Sequence, residues 1–324
     1  MIRSTLAAAL FGAAFAATPA FAQADWPSKN ITLITAFAPG SGPDATLRVV
    51  AERLGKQWGR NVIVENRPGG GGLIAMDAAR RTAPDGYTLL QLDSEHLSAV
   101  PHLYKQRGAD MVKSFEPVAS IFHTTFLVAV GAESKFKSLG DIIAAAKASP
   151  EKITYGSWGV GSPGHLGGEL LELQTGIKMQ HVPFKEVSQL YPAVGSGDVN
   201  WSLGTLPSSS GAYKAGKLRY VAVAAKKRLP QLPDVSTAAE AGGPADFNVD
   251  SFVVLVSPKG LPAAVRSKVG EAMAKVLAEP DVRQRFDTFA FEPINWSPEE
   301  ITRRAEAKSK VYEQLVKRAN ISLE

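Results

Sequence analysis

No cysteine occurs anywhere in the 324 residues. That absence excludes disulfides, thiolate nucleophiles, iron–sulfur clusters, cysteine zinc sites and lipid attachment through an N-terminal cysteine. Beyond the N-terminal segment there is no apolar run of the ~20 residues needed to span a bilayer. Runs of like charge are missing too. Thirty-six Lys and Arg against 31 Asp and Glu give a net charge of +5, and the basic residues are scattered. Such a distribution forms no nucleic-acid-binding stripe. The signatures G-x-S-x-G, G-K-[ST] and H-E-x-x-H are absent, which removes the commonest hydrolase, phosphate-loop and zinc-protease readings. The five histidines, His96, His102, His123, His165 and His181, show no metal-ligand spacing. What is present, 45% hydrophobic and 21% charged residues, excludes disorder, collagen and coiled coil as the main state. The length suggests about two domains at ~150 residues each.

The first 22 residues read as a separate object. Arg3 is the only charge before Asp25, an apolar stretch runs from Leu6 to Ala17, and Thr18-Pro19-Ala20-Phe21-Ala22 ends in an A-x-A pattern. This is the three-part form of a secretory signal peptide cleaved after Ala22. The apolar core is too short for a membrane anchor, and Pro19 ends it. No twin-arginine pair precedes it, so general export of an unfolded chain to a bacterial periplasm is expected, with a soluble mature protein starting at Gln23.

From there strands and helices alternate. Residues 30–37 form a β-rich run, and Leu47, Val50, Leu54 and Trp58 then recur at helical spacing. Segments 61–65 and 87–92 read as strands. Pro68 and the glycines Gly69 to Gly72 break the chain before a helix over 73–81. Further helices are predicted over 139–148, 164–174, 262–277 and from Ser297, a capping residue, to about 319. Strands are predicted at 153–157, 199–203, 218–224 and 252–256. This alternation argues for an α/β fold with mostly parallel sheets. The apolar run 118–130 is long for one strand. With 248–256 it is a candidate crossing between two lobes, giving a first lobe of 23–124 plus 250–324 and a second of 125–249.

Two glycine-rich turns each leave the carboxyl end of a predicted strand and enter a helix. One runs from Thr35 to Asp44 and the other from Tyr155 to His165. Ligands of open α/β sheets bind at such strand ends. Glycines there let backbone N–H groups approach a ligand closely, and helix N-termini favour negative charge. One such turn is common and can be a mere tight turn. A pair, one per lobe, suggests a cleft in which both grip one anion. The second turn also spells G-x-G-x-x-G through Gly159, Gly161 and Gly164, with Glu186 following at dinucleotide-fingerprint distance. Pro163 and general export weigh against that reading. Ser162 and His165, three apart, could touch as a hydrolase dyad, but a capping Ser beside a structural or ligand-facing His explains them more simply. Lys226-Lys227-Arg228 is read as a solvated face.

From Trp26-Pro27 to the C-terminus the chain resembles the Bug-type solute receptors of tripartite tricarboxylate transporters. Phe37-Ala38-Pro39-Gly40…Asp44 and the distinctive Val64-Glu65-Asn66-Arg67-Pro68-Gly69-Gly70-Gly71-Gly72 carry the resemblance, followed by Ala83-Pro84-Asp85-Gly86-Tyr87-Thr88-Leu89. Tyr155-Gly156-Ser157…Gly159-Val160-Gly161-Ser162…His165-Leu166 and His181-Val182-Pro183-Phe184-Lys185 complete it. The resemblance implies a two-lobe periplasmic binding protein of the type II flytrap class, each lobe a mostly parallel sheet flanked by helices. It implies a transport receptor, not an enzyme, with no catalytic residue, cofactor or metal. A monomer would close on a small carboxylate and deliver it to membrane permease subunits. A ligand sensor of the same fold is the alternative, and an exported enzyme a remote one.

Carried over by position, the ligand-binding set is Phe37, Ala38, Pro39, Gly40, Ser41 and Asp44 from the first lobe. From the second it is Ser157, Trp158, Val160, Gly161, Ser162 and His165. Asp44 is equally suited to cap its helix. Ser94, after the strand beginning at Tyr87, is added as able to reach the cleft. Three departures from the family pattern stand out: the hydroxyl of Ser41 between Gly40 and Gly42, Glu186 in place of a glycine, and Asn200 where a carboxylate is usual. Asn200 is placed near the expected cleft, which argues against an amino-acid ligand needing a counter-charge. Trp158 and Trp201 add apolar area, so an aromatic carboxylate competes with an aliphatic di- or tricarboxylate, unless both tryptophans are packing residues.

Overall fold

The computed structural model describes residues 26–323 other than Glu186. The signal peptide expected at 1–22, the new N-terminus at Gln23 and the Glu186 of the dinucleotide pattern lie outside the described residues.

The first lobe begins with β1 (Ile31–Thr35), α1 (Gly42–Trp58), β2 (Val62–Asn66), α2 (Leu73–Ala79) and β3 (Thr88–Asp93). Helix α1 forms where the sequence signals agree. Ser41 caps it, Pro43 sits in its first turn, Gly59 ends it in a left-handed conformation, and Leu47, Val50 and Leu54 are fully buried. Three short helices follow, α3 (Ser94–Ser98), α4 (Val100–Leu103) and α5 (Gly108–Lys113), and then β4 (Phe115–Thr125).

The second lobe holds β5 (Leu127–Gly131), α6 (Leu139–Ala148), β6 (Thr154–Ser157), α7 (Pro163–Thr175) and β7 (Gln180–Pro183). It continues through α8 (Val187–Ser196), β8 (Trp201–Gly204), α9 (Leu206–Lys214) and β9 (Leu218–Val223). The chain then returns to the first sheet with β10 (Asp250–Pro258), α10 (Ala263–Ala278), α11 (Pro280–Asp287), β11 (Phe291–Pro293) and α12 (Pro298–Arg318).

The first sheet has the order β11-β4-β10-β3-β1-β2 and the second β7-β6-β8-β5-β9. Both are mixed, which corrects the expectation of mostly parallel sheets. The pairs β1·β2, β1·β3, β6·β7 and β6·β8 are parallel, but every strand beside a crossing pairs antiparallel. The reason is topological. A strand that arrives from the other lobe enters at the carboxyl edge of the parallel set and so runs against it. The apolar run 118–130 is therefore two strands in two sheets, separated only by Phe126.

Helices cover both faces of the first sheet. Leu47, Val50 and Leu54 of α1 pack on one face with Val269, Met273 and Val276 of α10. On the other face lie Met76, Leu103, Tyr312 and Leu315, together with Leu166 of α7 from the second lobe. Burial from both sides is why β10 reads as an unbroken apolar run.

Candidate functional site

Because β1, β2 and β3 are parallel, three loops leave the same edge of the first sheet: the turn before α1, the glycine run before α2, and α3–α4. In the second sheet the turns after β6 and β8 share an edge for the same reason. The two edges face each other. Gly42 abuts Pro207 of α9, 3.1 Å from where a side chain would begin, and any side chain on Gly161 would collide with Leu103 of α4. On one side the opening is bounded by the crossings, which lie against each other: Phe126 N–H donates to Val249 O at 3.0 Å, and Ala224 N–H donates to Phe126 O at 2.8 Å.

The first turn is held from beneath. Thr35 Oγ1 donates to Gln91 Oε1 at 2.6 Å and accepts the Phe37 N–H at 3.2 Å. Asn66 Nδ2 donates to Phe37 O and to Asp44 Oδ1, at 3.0 and 2.7 Å. The Asp44 carboxylate is buried and accepts from Gly40 N–H at 2.8 Å and from Arg48 Nε at 3.1 Å. Desolvation works against ionisation here, but the hydrogen bonds from Arg48, Asn66 and Gly40 outweigh it and hold the carboxyl below its ordinary range. The alternative that Asp44 caps α1 is corrected: Ser41 is the N-cap, and Asp44 sits in the first helical turn with its carboxylate tied to Gly40, Arg48 and Asn66. Ser41 caps α1, accepting the Asp44 N–H at 3.4 Å. Ala38, Pro39 and Gly40 are exposed at the tip, and Phe37 is half-buried.

The second turn repeats this design. Ser162 caps α7, Gly161 N–H donates to His165 Nδ1 at 3.0 Å, and Ser162 N–H donates to Gly159 O at 3.2 Å. The hydroxyl of Ser162 donates to Gly159 O at 2.7 Å, so no Ser162–His165 dyad exists. Accepting at Nδ1 leaves the His165 proton on Nε2, 3.7 Å from Glu169 Oε1. Burial pushes His165 down to about 3 and His181 down to about 4. Neutral rings are what their stacking requires, with centroids 3.9 Å apart and planes 15° from parallel. His181 Nε2 lies 2.6 Å from Ser157 Oγ, and Ser157 is fully buried. Val160 is exposed, and half-buried Trp158 stacks on Phe126 at 5.8 Å.

Among the described residues, the N–H groups of Ala38, Trp158 and Val160 make no hydrogen bond. They stand at the two facing edges beside the N-termini of α1 and α7, an arrangement suited to an anion.

Two residues expected at the ligand fall elsewhere. Asn200 precedes β8 and bonds Thr154 at the head of β6, with its Oδ1 accepting the Thr154 N–H at 2.8 Å. It is at the amino edge of the sheet, the opposite end from Ser157. Ser94 is fully buried and donates to Glu95 Oε2 at 2.9 Å, beneath the cleft wall. Trp201 is likewise fully buried in the second core, so it adds no surface for a ligand. Nothing in the sequence pattern assigned a role to Leu103 or Pro207, or to His96, whose ring meets Phe37 edge-on at 5.8 Å. Asn66 alone carried a signal, as part of the distinctive Val64–Gly72 motif.

Residues 46–321 match the family described as "Tripartite tricarboxylate transporter family receptor". The chain is 32% identical over 321 residues to the UPF0065 protein in gbd 5'region of Cupriavidus necator, covering 99% of this chain and 97% of that one. Its fold is similar to that of R. palustris Rpa4515 with adipate, with TM-score 0.83 and 30% identity over 92% of this chain and all of that chain. It is also similar to MatC from Rhodopseudomonas palustris with bound malate, with TM-score 0.78 and 25% identity over 90% of this chain and all of that chain.

Proposed function

Since the chain belongs to the tripartite tricarboxylate transporter receptor family, we propose that it captures a small aliphatic dicarboxylate in the periplasm and delivers it to membrane permease subunits. The observation that carries this reading is the pair of facing turns with unbonded N–H groups at Ala38, Trp158 and Val160. Each helix N-terminus behind them favours an anion by ~0.3–1 kcal/mol, and by up to ~2 kcal/mol when partly buried. In this reading Phe37, Ala38, Pro39, Gly40 and Ser41 meet the ligand from one side, and Trp158, Val160, Gly161 and Ser162 from the other. Asp44, Ser157 and His165 hold the turns in shape. Asn200 and Ser94 are left out.

The lobes divide at Thr125 and Asp250, and the paired crossings act as the hinge. An aliphatic ligand is favoured over an aromatic one because Trp201 is buried in the core, which leaves only Trp158 at the cleft. The dicarboxylates named for Rpa4515 and MatC agree with it. At the second turn Ser157 Oγ lies beside the His181 imidazole, and its burial argues for binding over turnover.

Native mass spectrometry of protein purified from its own host should detect a co-purifying organic acid. Thermal-shift screening should give hits among acids and none among sugars or polyamines. Tight binding of a neutral sugar overturns the reading.

A further inference from the structure

His96 lies on α3, which leaves the carboxyl end of β3 at the same edge as the first turn, on the segment that leads toward Leu103. It is the third residue of α3. Its N–H donates to Asp93 Oδ1 at 2.9 Å, and its Nδ1 lies 2.5 Å from the same oxygen. The Asp93 N–H also comes within 3.3 Å of Nδ1, but the shorter contact with a carboxylate oxygen is the stronger of the two and puts a proton on Nδ1. The other side of the ring is different. Among the described residues Nε2 makes no hydrogen bond. The imidazole occupies the space in which a side chain at Gly72 would have to lie, and Gly72 has φ +86°. The glycine run therefore opens a berth for this ring. Phe37 closes the berth on another side with its ring nearly perpendicular, at 89°.

We propose that the His96 imidazole, braced by Asp93, is the donor that receives the second carboxylate of a dicarboxylate ligand. This rests on the carboxylate reading above: the main-chain groups of the two turns take one carboxylate, and His96, on a separate loop, takes the other. Donation from Nε2 requires the imidazolium. Burial disfavours that form, but the Asp93 carboxylate overcomes it, and the histidine is held above its ordinary value. The charged groups packed around α3 are Asp93 and Glu95 of its own segment, Lys308 of α12 and Asp250 of β10. Lys308 Nζ is 2.6 Å from Asp250 Oδ1 and 3.5 Å from Glu95 Oε1, so these largely satisfy one another. Asp93 alone bonds the His96 ring.

The test titrates wild type and His96→Gln with adipate, succinate and malate, and with hexanoate and butyrate as single-carboxylate counterparts. Calorimetry is run at about pH 6 and about pH 8.5, on either side of the ordinary imidazole value. Glutamine at the third helical position can accept the Asp93 N–H through its side-chain oxygen, which keeps α3 capped, and carries no charge. Wild type should prefer at least one diacid over its counterpart, and more so at the lower pH. His96→Gln should lose on the order of 10- to 100-fold in affinity for that diacid, the scale of one charge-assisted hydrogen bond, and should keep its monoacid affinity and lose the pH effect. If His96→Gln keeps the diacid preference, or wild type binds monoacids as tightly as diacids, His96 is not a ligand residue, though the carboxylate reading survives. If none of these acids binds wild type, both fall. Should His96→Gln fail to fold, Gly72→Ala, which displaces the ring while keeping its charge, is read by the same outcomes.

Discussion

Asp44 and His165 hold the same place in the two turns. Each is the third residue of its helix, and each accepts the N–H of a glycine four residues back, at 2.8 and 3.0 Å. Those glycines have nearly the same backbone, Gly40 at φ +78° and Gly161 at φ +81°. One device, Gly-Ser-x-x-(Asp or His), is thus built once in each lobe, and a half-buried aromatic, Phe37 or Trp158, precedes each copy. The side chains that tie the glycines down fix the direction of the N–H groups left over.

Asp44→Ala should therefore loosen the first turn in two ways. Gly40 loses its acceptor, and Asn66 loses one of the two groups it bridges. We expect a destabilisation of about 1–3 kcal/mol in chemical denaturation, the range of a lost cap plus a charged hydrogen bond. Ligand affinity should drop as well. Unchanged affinity would mean that the first turn does not hold the ligand.

Gly161→Val tests the second turn. The left-handed backbone strains any residue with a side chain, at roughly 1–2 kcal/mol, and the new side chain would strike Leu103 across the cleft. Thermal melting should show a fold weakened but intact, and calorimetry should show ligand binding abolished. Retained affinity would move the site elsewhere.

How much of this was legible in the sequence differs from residue to residue. Ser162 and Ser297 cap helices as their context suggests, because capping is decided by neighbours within a few residues, whereas at α1 the cap is Ser41 and not Asp44. The run 118–130 is too long for one strand, and its length reflects two strands, β4 and β5, that follow each other directly into two sheets. Trp201 takes the packing role left open for it, whereas Asn200 lies away from the cleft for a physical reason. Asn200 comes just before β8, and in a set parallel to β6 that places it at the amino edge, opposite the carboxyl edge where the ligand loops leave. The helices α3–α5 escaped notice because Pro101 and Gly108 cut that stretch into pieces too short to show helical periodicity. With them went His96, whose meaning depends on Gly72 and Phe37, distant in the chain.

A half-buried polar cluster joins the start of β10 to the last helix. Lys308 Nζ donates to Asp250 Oδ1 at 2.6 Å and to Asp250 O at 2.7 Å, and His123 Nε2 lies 3.0 Å from Asp250 Oδ2. Burial would raise the Asp250 carboxyl, but bonds from His123 and Lys308 hold it far below its ordinary range. A depressed carboxylate contributes stability that is fully present above its unfolded value near pH 4, and that is lost as pH falls through the folded value. Lys308→Met leaves Asp250 with His123 as its remaining side-chain partner and should destabilise near neutral pH by less than the roughly 3–5 kcal/mol of breaking a fully buried pair. Asp250→Asn should lower stability near neutrality yet flatten its loss below about pH 4. Denaturation midpoints across that range decide it: an Asp250→Asn profile parallel to wild type would show that the pair does not govern acid stability.

The proposed closure can be followed optically because one tryptophan stacks on the chain that links the two sheets. Trp158 lies in the second turn and stacks on Phe126, the single residue between β4 and β5, with planes 18° apart. Ligand that draws the lobes together by hinge motion must change the surroundings of this ring. Trp201 is already fully buried and should stay silent. Titration with a dicarboxylate that binds should therefore change tryptophan emission and reduce the radius of gyration together. Trp158→Phe should remove much of the emission change while the compaction remains, since phenylalanine preserves the stack but not the fluorescence. If scattering shows no compaction at saturating ligand, the lobes do not clamp, and the facing turns hold their ligand without hinge motion.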